Sequence, residues 1–131
     1  MAILAAAIVA FSMIVLGHTI IPPPEEIDTN NSESIQSNFH LYQMKHFLFP
    51  LIAHALGTMV ASFLVSRFAK SHQFKFAIGI GILFMCASLS LTIRIGQVNW
   101  IGVIEIAQYI PMSYLGYILW KRTSLNKNRI A

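Results

Sequence analysis

Charge is what this sequence has least of. Only 11% of its 131 residues are Asp, Glu, Lys or Arg, against about 25% in a soluble domain of ordinary composition. That leaves too few charged groups to wet the surface of a water-soluble fold, and the mean hydropathy of +0.63 agrees. Cysteine is nearly missing too. Cys86 stands alone, which excludes an intrachain disulfide and reads as a small apolar packing residue. Catalytic signatures are absent: there is no GxSxG, no P-loop, no GxGxxG and no paired-carboxylate arrangement, and Gly79-Ile80-Gly81 lies inside an apolar run. No enzyme is expected. Metal-ligand spacing within one helix (HxxxH, ExxH or CxxC) is lacking, and His18 and His54 sit at different depths, which disfavours a bis-histidine haem. No cofactor or metal is expected.

What remains is four long apolar runs, at about 1–21, 46–66, 76–96 and 100–120, separated by short charged stretches. Each holds about 21 residues, or roughly 31 Å as a helix, the thickness of a bilayer's hydrocarbon core. Backbone amides cannot stay unpaired in lipid, so the runs predict helices. The expectation is an all-α, four-span antiparallel bundle forming a single membrane domain, with the lipid bilayer as its first partner.

Lys and Arg set the expected direction. Arg67, Lys70, Lys75, Lys121, Arg122, Lys127 and Arg129 fall in the 67–75 connection and the 121–131 tail, whereas the opposite side has only Lys45 and Arg94. That asymmetry predicts a cytoplasmic middle loop and cytoplasmic N- and C-termini in a bacterial inner membrane. The basic pI near 9.5 then reflects topology and lipid headgroups, not nucleic acid. The first run lacks a basic leader and a small-x-small cleavage site, so it reads as an uncleaved anchor. The outer loop, 22–45, opens on Pro22-Pro23-Pro24, a stiff stretch without backbone donors. Asn30 and Glu33 resemble a capping box for a short amphipathic helix over 32–42, with an irregular loop as the alternative. Pro50, one turn into the second span, kinks that helix or marks its start.

Two sets of residues stand out within the spans. Ala53, Gly57 and Ala61, with Ala77 and Gly81, form small-x-x-x-small ladders that let backbones approach closely. His18, His54, Arg94, Glu105 and Gln108 are polar in segments where an ionisable group costs at least about 2.5 kcal/mol, and all lie toward the outer half. One reading pairs Glu105 with Arg94, with His54 hydrogen-bonded in, to fix helix register. A second has Glu105 exchanging protons or binding a cation, with His54 as relay. In a third, Arg94 snorkels to the outer headgroups and touches neither.

Gly17-His18 before Pro22-Pro23-Pro24, His54-Ala55-Leu56-Gly57-Thr58, Tyr109-Ile110-Pro111-Met112 and Leu115-Gly116 together resemble small four-span bacterial membrane proteins of uncharacterised activity. The resemblance implies the four-span fold and no activity, and directs attention to His18, His54 and the proline run. Function is therefore expected from architecture: an accessory or scaffolding subunit packed against other membrane subunits, or alternatively a small oligomeric carrier coupled to protons or cations through Glu105 and His54.

Overall fold

A computed structural model describes residues 19–95 and 100–130, together with positions 8, 12, 15 and 16. Its elements are a short helix α1 (Ser32–Ser37), a 3₁₀ turn (Phe39–Leu41), and three long helices: α2 (Met44–Phe68), α3 (Gln73–Ile95) and α4 (Trp100–Ile130). Among the described residues there is no strand. In the expected first span, Ile8, Ser12, Val15, Leu16, Thr19 and Ile20 are helical and exposed. Most of that span, His18 included, lies outside the described residues.

Among the described residues two helices are long and apolar enough to cross a membrane, Met44–Phe68 and Gln73–Arg94. Four were expected. The fourth run does form a helix, but Glu105, Gln108 and three tyrosines dilute its hydropathy, and it continues to Ile130, ten residues past the expected end at 120. The middle loop is also shorter than the basic stretch suggested, only residues 69–72. Gln73 Nε2 donates to the Ala69 carbonyl (3.2 Å) and the Phe76 amide to that of His72 (3.1 Å), which starts α3 early. His72 takes φ 55° in this turn, a left-handed conformation that His tolerates better than most side chains. A Lys does not end a helix. Its charge sits comfortably in water at the end of an apolar run, and helical hydrogen bonding continues through it.

Contacts set the helix directions. Ser62 Oγ donates to the Ala77 carbonyl (3.3 Å) across an antiparallel α2–α3 hairpin. Ser88 meets Glu105 while Gly81 lies against Tyr109 and Ser113, so α3 and α4 are antiparallel as well. His54 meets Glu105 and Met59 lies under Gly116, so α2 and α4 run parallel. The shared seam is made of small and hydroxylated residues: Gly57, Thr58, Ala61, Ser62, Val65 and Ser66 on α2, Ala77, Ile80 and Gly81 on α3, and Tyr109, Ser113 and Gly116 on α4 are all buried. Ala53 is only partly buried. Each buried hydroxyl has an acceptor: Thr58 donates to the His54 carbonyl (2.7 Å), Ser66 to that of Ser62 (2.7 Å) and Ser113 to that of Ile110 (2.8 Å). Close backbone approach is possible because two glycines carry no side chain. A Cβ on Gly81 would stand 2.5 Å from Ser113 Oγ, and one on Gly116 would stand 2.9 Å from Ser62 Cβ and 3.0 Å from the Phe63 amide nitrogen.

Burial runs opposite to that of a water-soluble bundle. Among the described residues six apolar side chains are buried, whereas 24 large apolar ones are exposed. Within the two span-length helices, 28% and 17% of the most apolar window is buried, so neither is mostly buried within this chain.

The 22–43 segment folds back over one end of the bundle. Turns at Pro24–Ile27 (3.0 Å) and Asp28–Asn31 (3.1 Å) bury Ile27. The helix cap falls one residue later than expected. Asp28 Oδ1 takes the Asn30 amide (2.9 Å), and Asn31 caps α1 by accepting from the Glu33 amide (2.9 Å). α1 ends at Ser37, short of the expected 42, where the 3₁₀ turn takes over. Phe39, Tyr42 and Phe47 then cluster with ring centroids 5.4–5.8 Å apart. Pro50 lies inside α2, not at its start. The helix begins six residues earlier, where the Gln43 amide donates to His46 Nδ1 (2.9 Å).

Candidate functional site

α2 and α4 run parallel, so their N-terminal halves lie side by side, with the C-terminal half of α3 beside both. Residues nearly three turns into α2, one to two turns into α4 and about two turns from the end of α3 therefore share a level. There His54 of α2 faces Glu105 of α4, with Nδ1 2.7 Å from Oε1. Tyr109, one turn below Glu105 on the same face, donates its hydroxyl to Oε1 (3.1 Å), and its ring stacks on that of His54 at 6.3 Å. Ser88 of α3 adds a third donor to the same oxygen (3.2 Å). One carboxylate oxygen thus ties three helices together. With Glu105 ionised, His54 carries a proton on Nδ1 to donate, and a bond this short is charge-assisted.

Above the pair lies a cavity of about 640 Å³. His54, Ser88, Thr92 and Glu105 form its floor, Phe47, Pro50, Leu91 and Ile101 its walls, and Pro23, Thr29, Asn30, Ile35, Phe39 and Tyr42 its roof. The outer loop, expected as a short amphipathic surface helix or an irregular loop, thus roofs this chamber. Burial raises the Tyr42 phenol above its ordinary range.

The residues singled out from sequence meet in part. His54 and Glu105 are in direct contact. Gln108 lies on the same helix but turns to α2, where its Nε2 donates to the Leu51 carbonyl (3.1 Å). Arg94 lines the cavity and is exposed, and among the described residues it forms no ion pair. His18 lies outside the described residues. Tyr109, Ser88 and Thr92 escaped the sequence reading, although Tyr109 is four residues after Glu105 and so on its face. Among the described residues no group of three or more His, Cys, Asp or Glu side chains converges, which leaves the centre as one carboxylate and one imidazole.

Compared with protein-family models, curated proteins and solved structures, the chain matches none. The functional reading rests on geometry.

Proposed function

We propose that this chain is a four-helix membrane protein of a bacterial inner membrane, with both termini and the 69–72 turn on the cytoplasmic side, and that it acts as a small proton- or cation-coupled carrier. The observation that carries the reading is the Glu105 carboxylate, shared among three helices and standing with His54 at the floor of a chamber. An ionisable pair at this depth is costly to keep, and such groups in membrane helices mark ion or proton pathways. Its placement in a membrane is supported by the exposed apolar faces of α2 and α3. Its orientation is supported by Arg67, Lys70, Lys75, Lys121 and Arg122, all at the end away from the chamber. Protein reconstituted into liposomes with an internal pH indicator is the test. Flux that disappears in Glu105→Gln, while helix content and elution profile match the parent, is expected; a variant that carries as well as the parent defeats the reading.

A second reading, an accessory or scaffolding subunit, is favoured by a specific surface. Gly79 on α3 has no atom within 4 Å of where its Cβ would stand, and Phe76, Leu83, Cys86 and Ser90 are exposed on the same helix. That is a smooth face suited to another membrane helix or a second copy. Native mass spectrometry of gently solubilised membranes separates the readings, because a subunit co-migrates with other chains.

A further inference from the structure

The His54–Glu105 centre has a side that the protein leaves open. All three donors that reach Glu105 go to Oε1. Among the described residues no side-chain nitrogen or oxygen is both buried and without a partner. Among the described residues Glu105 Oε2 and His54 Nε2 have no protein partner and are therefore open, and both residues line the cavity. With Nδ1 aimed at Glu105, the imidazole's Nε2 points away from the carboxylate. Ser88 and Thr92, the floor's hydroxyls, already donate elsewhere. The floor thus offers one open, charged acceptor, Glu105 Oε2. A primary ammonium, with one positive charge and three N–H donors, satisfies it; a quaternary ammonium brings the charge and no donor.

The other end of the cavity has the opposite sign. Arg94 lines it and is exposed. Six residues of α3 separate it from Ser88, about 9 Å along the helix axis, so guanidinium and carboxylate address opposite ends of an occupant. Between them the walls are apolar, with Phe47, Pro50, Leu91 and Ile101. A volume of about 640 Å³ is in the range that encloses a ligand of drug size.

We propose that the chamber binds a zwitterionic amphiphile: its primary ammonium on Glu105 Oε2, its acidic group on Arg94, and its apolar body against the walls. This rests on the reading of Glu105 and His54 as a cation-binding centre and names that cation as the ligand's own ammonium. A phospholipid headgroup and a free phosphorylated amine share this chemistry.

Full-length protein in nanodiscs of phosphatidylglycerol and phosphatidylcholine, which supply no primary ammonium, is titrated calorimetrically. The probes are lysophosphatidylethanolamine, lysophosphatidylcholine and phosphoethanolamine. Saturable binding of lysophosphatidylethanolamine is expected, weakened at least about ten-fold for the choline probe and in both Glu105→Gln and Arg94→Gln. Phosphoethanolamine binding with the same dependence assigns the ligand to the free amine; a requirement for the acyl chain assigns it to lipid. Equal binding of the ethanolamine and choline probes, or undiminished binding in Arg94→Gln, overturns the proposal. Arg94 is exposed, so that variant stays informative even if Glu105→Gln fails to fold. Glu105-dependent proton flux without headgroup selectivity removes this proposal and leaves the carrier standing. Selective binding that needs both charges, without proton flux, does the reverse.

Discussion

Gly116→Ala tests the packing of α2 against α4 with a single methyl group. The added Cβ would lie 2.9 Å from Ser62 Cβ and 3.0 Å from the Phe63 amide nitrogen, and would overlap the Met59 carbonyl oxygen. Two of these three neighbours are backbone atoms of α2, which no rotamer change can move, so the helices must separate. Overpacking of this kind costs about 1–3 kcal/mol, and the rigid neighbours place it in the upper half of that range. Alanine returns up to about 1 kcal/mol of helix propensity, for a net loss of roughly 1–2 kcal/mol. Gly79→Ala is the matched control. It lies in α3 with nothing within 4 Å of the new methyl, so only the propensity gain of about 0.5–1 kcal/mol applies. The two variants should differ by roughly 2–3 kcal/mol, measured by SDS titration of the protein in mild detergent with helical circular dichroism as the readout. If both alanines shift the midpoint alike, or Gly116→Ala is as stable as the parent, the described α2–α4 contact is wrong.

Other outcomes follow from the same contacts. A double-mutant cycle with His54→Ala and Glu105→Ala should give a coupling of about 1 kcal/mol and no more than about 2, the scale of hydrogen bonds between membrane helices; additive losses would mean that the pair does not interact. Asn31→Ala removes the cap of a one-and-a-half-turn helix, worth about 1 kcal/mol, so amide exchange should accelerate over 32–37 and stay unchanged in α2. In a Cys86→Ala background, an impermeant maleimide added to intact cells should tag Asp28→Cys and spare Lys70→Cys, and the reverse pattern would invert the proposed orientation.

Composition and periodicity carried much of the architecture. Apolar runs too long for strands made the helices around 46–66, 76–96 and 100–120 legible, because backbone pairing within a segment is a local matter. Small residues four apart pointed to Gly57, Ala61, Ala77 and Gly81 as a packing seam, and a carboxylate at position 105 stood out by its cost. Boundaries were less legible. The basic residues of 67–75 and 121–131 mark polarity, and the helices extend through them to residues 68 and 130 and resume at 73.

Partnership was legible only in three dimensions. Arg94 and His54 were both available to Glu105 by charge and level, and nothing local separates an α3 partner from an α2 partner. The parallel run of α2 and α4, with backbones brought together at Gly116, puts the imidazole 2.7 Å from the carboxylate, whereas Arg94, one residue short of the end of α3, lies too far up its helix to share that contact. The roof over the chamber has the same origin. Residues 23–42 read as a stiff proline stretch and a short surface helix, and only their turns back over the ends of α2, α3 and α4 make them line a cavity. Helix formation is settled within a few residues of chain. Which side chains meet depends on how whole helices pack, and that information is spread across the entire bundle.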